Sequence, residues 1–289
     1  MLELASASNW DVATRYHEFK TKPSIQRDRK LADHLREISA RAVLERAQAV
    51  LGSVVRPTDY RSGPLSELPS DALAPEVDLD DTLENSPWIT RPKSLARPED
   101  ITMEYRTVRD QAVVLSVDTS LSMTGEKLAL TAVALAVVLL QFPEDPVGII
   151  AFENEPRVLK TPDERISIEE LVSRFLDVPA QGYTHLEFGM KAALKLLREI
   201  RAGRSRTPPS CVLLTDGKYT AGKDPAYLAP RFPHLVVLKM GDERASWPLC
   251  DEMARKGRGA LREVADLEEL PEAMYGVVKD LLRGTASRA

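Results

Sequence analysis

The sequence predicts an α/β fold, a doubly wound and mostly parallel sheet preceded by a helical and extended appendage. Three observations predict it. From about residue 101 onward, short apolar segments alternate with helical ones. Those short segments, such as "VGIIAF" and "HLVVLKM", are continuous apolar runs rather than alternations, the pattern of strands buried on both faces. Two of them, "AVVLSVD" and "CVLLTD", end abruptly in an aspartate.

Taken in order, residues 24–51 place Ile25, Leu31, Leu35, Ile38 and Ala42 at helical spacing among charges of both signs. Ser24 is the expected N-cap and Gly52 the stop. The charged residues read as a solvated face, with a partner-docking helix as the alternative. Residues 56–98 carry prolines at 57, 64, 69, 75, 87, 92 and 98, which push the chain toward extended conformations. Between Pro64 and Ser86 every charge is acidic, so the first half of this stretch is expected to be a mobile linker. Leu79, Leu83, Trp88 and Ile89 give its second half apolar groups to lay against the main domain.

The alternating region then reads as strand ("AVVLSV"), helix (125–142, apolar on nearly all sides), strand (147–152) and short strand (155–160). Helices at 167–176 and 186–200 follow, then strands at 211–216 and 234–240, and finally helix 248–256, strand 259–264 and helix 267–282. The expected plan is a helical segment over 1–55, an extension over 56–100, an α/β domain over 101–284 and a tail over 285–289.

Composition excludes several classes. Of 289 residues, 43% are hydrophobic and 29% charged, ordinary for a soluble protein. A net charge of −5 offers no basic excess for nucleic acid. Cys211 and Cys250 lack zinc-site spacing and are too few for a disulfide framework, which suits a reducing cytoplasm. The first twenty residues hold no apolar run of signal-peptide length. The run Leu128–Leu140 is too short for the roughly 20 residues a membrane span needs. A cytoplasmic protein without membrane insertion is expected.

In an open parallel sheet, ligands bind at the carboxyl ends of strands near a switch in strand order. Asp118 and Asp216 stand at two such ends. Alone, Asp118 reads as a helix N-cap and Asp216 with Gly217 as a turn. Neither reading explains Ser120, Ser122 and, after a Gly-Tyr step, Thr184, all in loops on the same expected edge. Two carboxylates and three hydroxyls form an all-oxygen set suited to a hard divalent cation and unsuited to zinc.

These residues resemble a known family. "DTSLSM", "YT" at 183–184 and "TDG" at 215–217 are similar to the metal-ion-dependent adhesion site (MIDAS) of von Willebrand factor A (VWA) domains. The resemblance, over roughly residues 108–284, implies a Rossmann-like sheet and a Mg²⁺ or Mn²⁺ ion. It implies direct ligation by Ser120, Ser122 and Thr184, with Asp118 and Asp216 acting largely through bound water. Leu121 stands where the family usually has Gly and would place an apolar side chain at the rim. The upstream "DLDDTLENSPWITRP" resembles the segment before the A domain in magnesium-chelatase D subunits and in VWA proteins associated with MoxR-type AAA+ ATPases. The chain has no Gly-rich phosphate loop of its own, since "TGEK" at 124–127 lacks the first glycine. Any ATPase would be a separate partner.

Three functions remain open at this point. A metal-activated hydrolase would need a sheltered general base, and His185 beside Thr184 is the only nearby histidine. A structural metal is a second reading. The leading expectation is a non-catalytic adaptor whose ion accepts an Asp or Glu from a MoxR-type ATPase or its client, with Leu121, Tyr183, His185 and Lys218 forming the rim.

Overall fold

The computed structural model describes residues 8–52, 58–85, 97–108, 111–180, 182–203 and 208–283. The chain divides into two compact units, residues 1–54 with 111–289, and residues 55–110.

The larger unit opens with three short helices, α1 (Asn9–Thr14), α2 (Tyr16–Thr21) and α3 (Pro23–Arg27), and a long one, α4 (Arg29–Leu51). The expected helix over 24–51 is thus broken. Asp28, not Ser24, caps the long helix by accepting a hydrogen bond from the Leu31 N–H at 3.1 Å. Gly52 ends it at φ +65°, a conformation glycine adopts without steric cost.

The smaller unit contains β1 (Thr58–Pro64), β2 (Leu73–Val77), α5 (Leu79–Asn85) and β3 (Thr102–Val108), with both outer strands pairing antiparallel to a central β3. Three differences from the sequence reading follow. Residues expected to be a linker form strands, because their pairing partner lies about forty residues downstream and no local pattern announces it. The boundary expected near 100 falls near 110, since Thr102–Val108 pairs with β1 and β2 and not with the main sheet. Leu83, expected to be covered, is 53% exposed, while Trp88 and Ile89 lie outside the described residues.

The main sheet is built from β4 (Val113–Asp118), β5 (Val147–Phe152), β6 (Pro156–Lys160), β7 (Ser210–Thr215), β8 (His234–Met240) and β9 (Leu261–Val264), in the order β6-β5-β4-β7-β8-β9. All neighbours are parallel except β6, which pairs antiparallel with β5 at one edge. The helices are α6 (Glu126–Gln141), α7 (Ile168–Leu176), α8 (Leu186–Gly203), α9 (Trp247–Lys256) and α10 (Leu270–Arg283). Every residue of β4, β5, β7 and β8 is buried. Side-chain alternation sends Leu115 and Val117 to the layer of α6, α7 and α10, and Val114 to the layer of α8 and α9.

One consequence of the N-terminal helices explains the character of α6. Thirteen of its sixteen residues are buried, because the sheet covers one side and α4 packs on another. Lys20 secures the junction by donating 2.7 Å hydrogen bonds to the Leu176 and Val178 carbonyls at the end of α7. Tyr16 and Arg36 both donate to the Asp177 carboxylate, at 2.9 and 3.0 Å. Among the described residues no helix is long and apolar enough to cross a membrane.

Candidate metal centre

Strand order reverses at β4: its chain successor β5 lies on one side and β7 on the other. The crevice outside the β4 and β7 carboxyl ends is therefore the expected ligand position, and it is lined by the loops that carry all five candidate ligands.

Asp118 ends β4 with a fully buried side chain. Its Oδ1 accepts the Ser120 N–H at 2.9 Å, which turns the chain, and its Oδ2 accepts the Thr215 hydroxyl at 2.7 Å. The Thr119 N–H donates to the Phe152 carbonyl at 2.9 Å, fixing the turn to the end of β5. Leu121–Met123 then forms one 3-10 turn. Met123 is buried as its anchor, and the Ser120 and Ser122 hydroxyls are brought to 3.2 Å from each other.

Asp216 follows β7, also fully buried. Its Oδ1 accepts the Lys218 N–H at 3.1 Å, whereas its Oδ2 has no hydrogen-bond partner. Gly217 makes the turn at φ +75°, and a Cβ there would lie 2.5 Å from Cys250 Sγ and 2.9 Å from Ser246 Cβ. Only glycine fits. Ser246 donates to the Asp216 carbonyl at 2.5 Å, so the backbone on both sides of the carboxylate is held.

Thr184 is buried in the loop before α8. That loop is stitched to the one that follows Asp216: the Thr184 N–H donates to Thr220 Oγ1 at 3.0 Å and its carbonyl accepts the Thr220 and Ala221 N–H groups at 3.1 and 3.3 Å. The His185 N–H reaches the Glu153 carbonyl at 2.8 Å, just past β5.

Burial pushes the Asp118 carboxyl up to about 7, against the hydrogen bonds from Thr215 and Ser120, and the Asp216 charge adds to the rise. Two carboxylates buried in one crevice, one oxygen of them unsatisfied, demand a compensating positive charge. Two ammonium groups approach without hydrogen-bonding: Lys218 Nζ is 3.6 Å and Lys127 Nζ 3.8 Å from Asp216 Oδ2. Among the described residues no group of three or more His, Cys, Asp or Glu side chains is placed to hold a metal. An ion here must therefore rest on two carboxylates supplemented by hydroxyls, a set that fits a hard dication.

Around this crevice, Leu121 and Tyr183 are 64% and 68% exposed, and Lys218 also faces solvent. His185 is only partly exposed, its ring stacked on Phe188 with centroids 3.6 Å apart and its Nδ1 buried without a partner. Sequence reasoning missed Thr215, Lys127, Glu243, and three exposed aromatic rings: Phe188 in the first turn of α8, and Tyr219 and Tyr227 in the segment after Asp216. Thr215 left a trace, a hydroxyl closing the apolar run "CVLLTD". Glu243, in "GDERAS", left none.

Comparison with known proteins agrees with this architecture. Residues 113–218 match the family profile of the von Willebrand factor type A domain. A von Willebrand factor type A structure from Catenulispora acidiphila superposes with a TM-score of 0.50 at 13% identity, covering 80% of this chain and 51% of that one. BatB from Bacteroides thetaiotaomicron aligns at 16% identity over 60% of this chain and all (100%) of that chain, with a TM-score of 0.47. Proximal thread matrix protein 1 from the mussel byssus, in a form with a zinc-occupied MIDAS motif, aligns at 17% identity over 60% of this chain and 48% of that one, with a TM-score of 0.48. No curated protein matches. The chain thus carries a VWA domain, in the Rossmann-like sheet arrangement described above.

Proposed function

We propose that the chain is a non-catalytic, metal-dependent protein-binding adaptor. Asp118, Ser120, Ser122, Thr184 and Asp216 would hold Mg²⁺ or Mn²⁺, and the bound ion would supply an open coordination position for an Asp or Glu of a partner. The observation that carries the reading is the pair of fully buried aspartates at the strand-order switch, with Asp216 Oδ2 unsatisfied and the Ser120 and Ser122 hydroxyls beside them.

The non-catalytic reading is supported by His185. Its ring is stacked on Phe188, and its Nδ1 is buried without a hydrogen-bond partner, so no carboxylate or carbonyl orients the ring as the orienting group of a general-base histidine does. Exposed Leu121, Tyr183, Tyr219 and Tyr227 around the crevice instead supply apolar contact for a docked protein.

The partner proposed is a MoxR-type AAA+ ATPase or a client it remodels, in the cytoplasm. That choice rests on the resemblance of the 78–92 segment, of which the structure describes residues 78–85. Capture from native lysate by the full chain, with Mn²⁺, with EDTA and with Thr184→Ala, tests it. Thr184→Ala removes a hydroxyl without changing the charge of the site. Retention of an AAA+ ATPase in Mn²⁺ alone supports the reading; equal retention in all three arms rejects it.

A further inference from the structure

We propose that Lys127, Lys218 and Glu243 set how strongly cation binding and acidic-partner binding are coupled at this centre. The proposal rests on the metal-bridged reading and adds a regulatory property to the same site.

The three residues form a built network. Glu243 Oε1 accepts from Lys127 Nζ at 2.6 Å and from Lys218 Nζ at 2.9 Å. Both ammonium groups thereby stand within 4 Å of the unsatisfied Asp216 Oδ2. Gly241, at φ +86°, leaves the space they need: a Cβ there would lie 2.4 Å from Glu243 Oε2 and 2.8 Å from Lys127 Nζ. The next cation inward, Lys239, is satisfied separately by the Gly241 carbonyl at 2.7 Å and by Glu263 at 3.6 Å.

Charge then sets the behaviour of the site. Asp216 and Glu243 face Lys127 and Lys218, and Asp118 shares the crevice with Asp216; with both aspartates ionised, the form that takes up a cation, the five groups carry one net negative charge. A dication turns this into one net positive charge, and a single partner carboxylate neutralises it. The lysines therefore oppose the ion when it arrives alone and attract the carboxylate that follows. By linkage, a carboxylate that binds the loaded site tightens the ion by the same factor. A domain built in this way holds its ion weakly when free and firmly only in complex.

Glu243 has the opposite influence, because it partly neutralises the lysines. Burial pushes its carboxyl up, but the hydrogen bonds from Lys127 and Lys218 outweigh that and bring it down to about 2, so it stays ionised at neutral pH.

The test uses the full chain and four proteins: wild type, Lys127→Met, Lys218→Met and Glu243→Gln. Mn²⁺ affinity is read by calorimetry and by electron paramagnetic resonance, with circular dichroism as the fold control. Acetate then serves as the carboxylate probe on the Mn²⁺-loaded proteins. Each Lys→Met variant is expected to bind Mn²⁺ about five- to tenfold more tightly, a modest effect appropriate to partly solvated charges. Each should bind acetate more weakly by a similar factor, while Glu243→Gln should bind Mn²⁺ more weakly. Loss of Mn²⁺ affinity in all three variants would make the network merely structural and overturn the proposal, as would unchanged affinity in both lysine variants. Absence of Mn²⁺ binding in the wild type would reject the metal reading itself, a result distinguishable from either.

Discussion

The Thr215 hydroxyl donates a 2.7 Å hydrogen bond to Asp118 Oδ2 and accepts one from the Gly217 N–H at 3.0 Å. One side chain in β7 thus orients the carboxylate of β4 and holds the turn that presents Asp216. The two strands share a register in which Val117 pairs with Leu214, so the link spans adjacent strand ends.

Thr215→Val keeps the shape but leaves a buried carboxylate oxygen and a backbone N–H each without a partner. A loss on the order of 1–3 kcal/mol in unfolding free energy is expected, together with weaker Mn²⁺ binding. Thr215→Ser should restore both, and urea unfolding with a Mn²⁺ titration checks them. Equal defects in the Ser and Val variants would show that packing, not the hydroxyl, is at work.

The N-terminal helices should be integral to the larger unit. Leu35→Ala removes a buried side chain that packs in the same cluster as α6 and should cost about 2–4 kcal/mol. Leu83→Ala, at an exposed position in the smaller unit, should change stability by less than about 0.5 kcal/mol. Urea denaturation of the two variants side by side decides the matter; comparable effects would contradict the burial described.

Glu187 gives the acid response of the site's outer wall. Hydrogen bonds from Lys191, Tyr227 and the Lys223 N–H hold its carboxyl down at about 2. A depressed carboxylate contributes stability that is fully present above its unfolded pKa of about 4.5 and is lost as pH falls through about 2. The melting-temperature gap between wild type and Glu187→Gln should therefore be constant from about pH 5 to 8 and shrink below about pH 4. A gap that widens in acid would refute the arrangement.

Much of this was legible in the sequence because its causes are local. Apolar runs such as 147–152 and 234–240 became buried parallel strands with the same bounds, since burial on both faces writes itself into every residue. The Asp-x-Ser-x-Ser turn was legible for the same reason, its hydrogen bond spanning two residues. What was not legible depends on distant partners. The β1–β3 pairing joins residues about forty positions apart. The Lys127–Glu243 ion pair joins a helix start to a loop 116 residues later. Even the all-round apolarity of α6 found its explanation only when α4 was seen to pack on it.

The central claim is that Asp118, Ser120 and their neighbours form one divalent-cation site. Calorimetric titration of Mn²⁺ into the 289-residue chain, alongside Asp118→Ala and Ser120→Ala variants shown to be folded by circular dichroism, tests it most directly. The account predicts a single site in the wild type and none in either variant. Undiminished binding in both folded variants, or none in the wild type, would contradict it.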